Sequence, residues 1–182
     1  MADTSPRVDA LHRCDSHSFT KESAEKLFFV PGVGVDGDAH AGPTVKHRSR
    51  VAVDPSQPNL RQVHLIPGEL LDELHSLGHD VNPGDLGENV TTRGIDLQSL
   101  AAGTSLRLGD DVLLVVTGLR NPCHQIEAFQ AGLLKCVLSR QDNQTIRKAG
   151  VMAIVVSAGI VSVGDGILAA APPGLPKPLE CV

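Results

Sequence analysis

Cys123 is the residue of this chain best placed to do chemistry. It lies in the run Gly118-Leu119-Arg120-Asn121-Pro122-Cys123-His124, after a strongly apolar stretch, Val112 to Thr117, and before a helix-like pattern. Asn121 reads as the N-cap and Pro122 as the first helical residue, because the fixed φ and missing N–H of proline suit that position. The sulfur would then sit in the first helical turn, where free N–H groups and the neighbouring Arg120 and His124 favour a thiolate. A thiolate binds soft metals, attacks electrophiles and carries sulfur. Typing alone makes Cys14, Cys136 and Cys181 buried structural thiols.

A second run, Gly37-Asp38-Ala39-His40-Ala41-Gly42, combines small residues that allow close approach of a ligand with His40, a donor or titratable base, and His47-Arg48 follow. The overlapping Gly32-Val33-Gly34-Val35-Asp36-Gly37 has GxGxxG spacing, but no helix opens at its third glycine. Asp36 and Asp38 would also repel phosphates, so a dinucleotide loop is set aside. Adjacent loop His and Asp do not fix a zinc geometry. His124 directly follows Cys123, which turns its side chain about a third of a helical turn away and makes it a poor base for Cys-dependent hydrolysis. His64, His75 and His79 sit on or near regular elements and read as packing or surface residues.

The elements that must position these groups are mostly strands. Leu27 to Val30 and Gln62 to Ile66 read as strands. Pro67 then opens a helix with Leu70, Leu71, Leu74 and Leu77 at helical spacing and Gly78 as its stop. Asn82-Pro83-Gly84-Asp85 is a turn, and Asn89 to Thr92 a short strand. Thr104 to Leu108 and Val112 to Thr117 form a hairpin about Gly109-Asp110-Asp111, and Val151 to Val156 with Ile160 to Val163 suggest another. Ile126, Phe129, Leu133, Leu134, Val137 and Leu138 give one apolar helical face. Pro31 to Leu60 is rich in Gly, Pro, Asp and His without periodicity, a composition more often functional than idle. The pattern predicts a mainly β fold with a few helices, most economically a barrel.

The 182 residues suit one domain, and a net charge of −5 argues against general nucleic-acid binding. With four Phe and no Trp or Tyr, base-stacking surfaces are not expected either. Basic residues cluster at Lys46-His47-Arg48 with Arg50 and at Arg147-Lys148, patches able to hold a small anion. The four cysteines form no CxxC pair, no apolar signal core opens the chain, and apolar runs are too short to span a bilayer. A cytoplasmic protein with reduced thiols and no membrane association is expected. Nothing in the pattern fixes an oligomeric state.

The order Gly37-Asp38-Ala39-His40-Ala41-Gly42, His47-Arg48-Ser49-Arg50, Asn59-Leu60-Arg61-Gln62-Val63-His64-Leu65, Pro83-Gly84-Asp85-Leu86-Gly87-Glu88-Asn89, Thr117-Gly118-Leu119-Arg120-Asn121-Pro122-Cys123 and Val163-Gly164-Asp165 resembles a stand-alone MOSC domain, named for the carboxy-terminal domain of molybdenum cofactor sulfurases. The expected organisation is a leader or edge segment over 1–17, the MOSC domain over 18–170 and a proline-rich tail over 171–182. The resemblance implies a MOSC-type β-barrel whose cleft surrounds Cys123 as molybdenum ligand. It implies the molybdenum cofactor, molybdopterin, a pterin with a phosphate and a metal-holding dithiolene. Arg48, Arg61, Asn89 and Arg120 are the candidates to bind it, with His40 as proton donor. Family chemistry implies an oxidoreductase that reduces N-hydroxylated compounds as its small-molecule substrates, with electrons from a partner redox protein. The alternative is a non-catalytic persulfide or cofactor carrier using Cys123 and a sulfur donor. The chain is too short to hold the pyridoxal-phosphate domain of the full sulfurases, and its cysteines form no iron–sulfur cluster motif.

Overall fold

In the computed structural model of the protein, residues 5–182 are described, and the side chains of Arg48 and Ser49 fall outside that description. The chain runs through β1 (Arg7–Arg13), β2 (Glu22–Ala24), β3 (Lys26–Val30), β4 (Gly34–Val35), α1 (Arg48–Val51), β5 (Val63–Pro67), α2 (Gly68–Ser76) and β6 (Val90–Arg93). After a 3-10 turn at Leu97–Ser99 come β7 (Ser105–Leu108), β8 (Val112–Leu119), α3 (His124–Phe129), α4 (Leu133–Val137), β9 (Leu138–Gln141), β10 (Gln144–Arg147), β11 (Val151–Ser157), β12 (Gly159–Ser162) and β13 (Ile167–Ala170).

The architecture is mainly β, as the turn-rich pattern implies. Eight strands form one sheet in the order β13-β7-β8-β11-β5-β6-β1-β2, beside a three-stranded sheet β12-β3-β4 and the separate β9–β10 hairpin. The barrel expectation is met only in part, because the hydrogen-bonded ladder of the large sheet stays open between β13 and β2. Its seventh strand nonetheless reaches round toward the first. Val8 N–H donates to the Asp165 carbonyl at 2.8 Å, and Ile167 N–H donates to that of Pro6 at 2.9 Å. Residues 7–13 are therefore an internal strand of this sheet, and the sheet curls about its core.

Alternation explains what the sheet buries. Along β8, Val112, Leu114 and Val116 point inward while Leu113, Val115 and Thr117 are only partly covered, the period-2 signature of a sheet with one dry face. Phe29, Val63, Leu65, Val90, Leu106, Leu108 and Val151 complete that core. A second cluster packs Leu70, Leu71 and Leu74 of α2 against Ile66, Ile126, Leu133 and Val137, so the predicted apolar face of α2 is buried at these three residues, while Leu77 lies at the C-cap and is exposed. No helix among the described residues is long and apolar enough to cross a membrane.

Two local expectations are corrected. β11 and β12 are not a hairpin, since β11 pairs with β8 and β5 while β12 pairs with β3, and Ser157-Ala158-Gly159 carries the chain from one sheet to the other. The apolar helical face from Ile126 to Leu138 is split into α3 and α4 by Gln130-Ala131-Gly132. Gly132 sits at φ 81, a left-handed conformation that ends a right-handed helix. The segment after it then turns back as β9–β10 through Asp142 (φ 47) and Asn143 (φ 64), the two-residue loop with both φ positive that tight hairpins favour.

Candidate functional site

A cavity of about 450 Å³ opens where β5, β11 and the loop after β8 meet the segments around Phe19, His40 and Gly87. Cys123, His40, Arg61, Asn89 and Arg120 all line it. Of the predicted site residues, only Arg48 cannot be placed there, because its side chain lies outside the described residues. Lys21, His47 and His64 complete the polar wall, while Phe19, Leu86 and Met152 supply apolar surface.

The loop after β8 positions two of these groups. Arg120 N–H donates to the Gly150 carbonyl at 3.0 Å, which fastens the loop to the start of β11. Gly150 sits at φ +83, and a Cβ there would lie 2.1 Å from the Leu65 carbonyl oxygen. Glycine is therefore required at the junction that holds Arg120. Cys123 is the N-cap of α3, with extended φ −133 and ψ 173, so its sulfur precedes the first helical turn instead of lying within it. The cap expected of Asn121 is not made. Asn121 Oδ1 instead accepts from Arg147 Nε at 3.3 Å, tying the loop to β10. Cys123 is half-buried, and its Sγ lies 3.5 Å from Gln125 Oε1.

The opposite wall is organised by Asp38. Its Oδ2 pairs with Lys21 Nζ and accepts from Asn89 Nδ2 at 3.0 Å and Cys14 N–H at 3.4 Å. Its Oδ1 accepts from His40 N–H at 2.9 Å and faces His40 Nδ1 at 3.4 Å. Burial pushes this carboxyl up, but the His40 hydrogen bond and the Lys21 ammonium outweigh it and hold it well below the usual carboxylate range. Asn89 also donates to the His12 carbonyl at 3.2 Å, and its Oδ1 accepts from His64 N–H at 3.1 Å. Both amide hydrogens are thus spent inside the protein, and Asn89 stands as a brace for Asp38.

The cavity is electropositive in a chain of net charge −5. Arg120 is buried, which depresses its basicity while the Cys123 sulfur and Glu88 oppose that effect. Its Nη1 makes no hydrogen bond, and its guanidinium carbon lies 6.0 Å over the Phe19 ring. Arg61 donates from Nε to the Val182 backbone oxygen at 2.6 Å and is pushed down to about 10, first by burial and then by Arg50 and Arg120. It remains charged at neutral pH. His47 stacks on His40 with ring centroids 4.5 Å apart, and its buried Nδ1 also lacks a partner. A buried polar atom without a partner costs free energy. Two in one cationic cavity therefore mark a place prepared for an anionic, hydrogen-bonding ligand.

Two buried histidines, His12 and His64, and the half-buried His47 set a pH window. Burial, then the Lys21 charge, pushes His12 down to about 4. Burial, then His40 and Arg61, pushes His47 down to about 3. His64, whose Nε2 donates to the Ala149 carbonyl at 2.8 Å, lies well below its ordinary value through burial and Arg120. Unfolded imidazoles take up a proton as pH falls through about 6.5, whereas folded His12 does so only near 4, His47 only near 3 and His64 only well below its ordinary value, so the unfolded chain binds more protons in between. Stability is expected to be fully present above that window and to fall between pH ~6.5 and ~4, by up to about 1.4 kcal/mol per pH unit for each histidine. Urea midpoints across the range check this, and a flat profile would mean that the imidazoles are solvated.

The sequence pointed to His40 and the arginines but not to Lys21 or Asp38 as a pair, and it read His64 only as a packing or surface residue. Lys21 belongs to no motif. A signal for His64 did exist, because its place in an otherwise apolar strand, Val63–Pro67, forces a polar ring into the interior.

Comparison with known proteins bears on this geometry. The MOSC domain profile matches residues 36–168. The YUAD protein from Bacillus subtilis is 26% identical with a TM-score of 0.73, the match covering 90% of this chain and 94% of that one. YiiM from Geobacillus stearothermophilus is 16% identical with a TM-score of 0.63, covering 91% of this chain and 75% of that one. YiiM from Escherichia coli is 18% identical with a TM-score of 0.60, covering 94% and 73%. At those identities the YiiM structures speak to the fold alone. No curated protein matches the sequence.

Proposed function

The chain belongs to the MOSC domain family, and from that premise we propose that it binds the molybdenum cofactor in the cavity beside Cys123 and reduces N-hydroxylated compounds. The observation that carries the reading is the buried Arg120 guanidinium, whose Nη1 has no protein partner and which shares the cavity wall with the Cys123 thiol. A phosphate-bearing pterin supplies the anion that such a guanidinium needs, and a thiolate is a soft ligand suited to molybdenum. The donor set fits the group. Cys123 would hold the metal, and Arg120, Arg61 and the free Nδ1 of His47 would hold the phosphate and ring edges. We also read the contacts of β1 with residues 164–167 as the seam of the family's barrel.

When bound, the cofactor would supply the two-electron chemistry that breaks an N–O bond, with the electrons drawn from a partner redox protein. The chain's own residues bind, orient and move protons. The N–O cleavage consumes two protons and releases water. His40 Nδ1 is turned toward Asp38, so its other ring nitrogen is the one available to pass a proton into the cavity. Lys21 and Asn89 fix Asp38, which fixes His40.

A second reading draws on the setting of Cys123. Its half-buried sulfur, touching Gln125 at 3.5 Å, could carry an extra sulfur as a persulfide received from a sulfur donor.

Elemental analysis separates the two readings. Wild-type protein purified reduced and without oxygen from molybdenum-replete cells is expected to hold close to one molybdenum per chain. Arg120→Met should bind cofactor about a hundredfold more weakly, the scale of losing a buried charged hydrogen bond to a ligand. Its unfolding midpoint without cofactor should fall little, because Nη1 makes no protein hydrogen bond to lose and the cost is confined to the positive charge that Glu88 no longer faces. A metal-free wild type would overturn the cofactor reading and leave the persulfide carrier.

A further inference from the structure

Away from this cavity, Cys136 of α4 faces His79 of the loop after α2. His79 Nδ1–H donates to Gln130 Oε1 at 2.8 Å. That leaves Nε2 as the lone-pair nitrogen, and it lies 3.5 Å from Cys136 Sγ. The sulfur is also 3.5 Å from the Gly132 carbonyl, a weaker alternative acceptor for its proton. A nucleophile, a base within reach and a third group orienting the base is the signature of an activated nucleophile. These residues come from three segments that the Gly132 break brings together.

We propose that Cys136 is a second nucleophilic thiol, with His79 as its base and Gln130 positioning the base, and that it exchanges with small disulfides. In the exchange His79 Nε2 takes the Cys136 proton and Sγ attacks one sulfur of R–S–S–R. The S–S bond breaks as Cys136–S–S–R forms, and the departing RS⁻ recovers the proton from the imidazolium as RSH. Cys136 is oxidised and the departing sulfur of R–S–S–R is reduced, so the disulfide itself is the oxidant and the electrons balance.

The surroundings select the substrate class. Cys136 is half-buried against the second core cluster, which admits a slender disulfide better than a protein one. Lys135 Nζ and His79 Cε1 both lie 3.8 Å from the point where a Gly132 Cβ would stand, so the two flank the same spot, and the ammonium favours an anionic partner there. The carboxylate of Glu127 is also close, but it accepts from Gly132 N–H at 2.8 Å and Leu134 N–H at 3.2 Å and is held on the backbone. Glutathione disulfide has the size and charge that this setting suits.

The test treats reduced, full-length protein with glutathione disulfide at pH 7, quenches at intervals and follows each cysteine-containing peptide by mass. Cys136 is expected to form the mixed disulfide faster than the exposed Cys181. His79→Ala should slow Cys136 about tenfold, since an unassisted thiol is only slightly ionised at that pH, and should leave Cys181 unchanged. Gln130→Ala should slow it less, and Gln130→Glu, which keeps the acceptor, should restore it. A purely packing role for His79 predicts the opposite sign, because losing the ring uncovers the sulfur and speeds its reaction. The proposal is overturned if wild-type Cys136 reacts more slowly than Cys181, or if His79→Ala fails to slow it. The wild-type ranking needs no variant and stands even if His79→Ala does not fold.

Discussion

Cys123→Ala is expected to purify without molybdenum and to lose reduction of a hydroxylamine by about three orders of magnitude or more, on the scale of removing a group that acts in the reaction itself. The fold should not register the change. Sγ touches Gln125 at the edge of hydrogen-bond distance and Cys123 is only half-buried, so thermal unfolding without cofactor should shift by less than about 1 kcal/mol. Cys123→Ser sharpens the result, because a hydroxyl keeps the size but offers a hard, protonated oxygen where molybdenum wants a soft thiolate. Elemental analysis and turnover with a chemical electron donor check the outcome. Metal retained at wild-type level in either variant would remove Cys123 from the ligand set.

Asp38→Asn is expected to destabilise the protein by about 3–5 kcal/mol, the cost of stranding one member of a buried ion pair. The Asp38 and Lys21 side chains are 1% and 3% exposed, so water cannot rescue the orphaned ammonium. Asn89, His40 and Cys14 also lose part of their acceptor. Lys21→Met added to Asp38→Asn should recover most of the stability, because the stranded charge is then gone. The recovered protein should still turn over poorly, since His40 Nδ1 loses the carboxylate it faces. Denaturant midpoints of the two singles and the double read the coupling. Additive losses would mean that the two groups do not act as a pair.

What the sequence made legible follows the range of the forces involved. α2 was readable because Leu70, Leu71 and Leu74 report a helical period within one short window, and β7–β8 because a Gly-Asp turn joins two alternating runs. The loop carrying Arg120 and Cys123 was located by its flanking strand and proline. Its capping was misassigned, because Asn121 is drawn away to Arg147, which is 26 residues distant and leaves no local trace. The same reason hid the Lys21–Asp38 pair, whose burial depends on Asn89 arriving from a segment 51 residues away. Ser157-Ala158-Gly159 looked like a hairpin turn, and only the pairing of β12 with β3 shows that it passes the chain between sheets.

The β9–β10 hairpin offers a practical handle. Its tip at Asp142 and Asn143 is exposed and stands outside both larger sheets, the kind of site where inserted sequence is best tolerated. Its base is anchored, since Arg147 reaches Asn121 two residues before Cys123, and Gln98 Nε2 donates to the Arg147 carbonyl at 2.6 Å. A fluorophore attached at the tip would ride on a lever whose fulcrum touches the cavity loop, and it could report ligand entry optically without a single change to the residues that line the cavity.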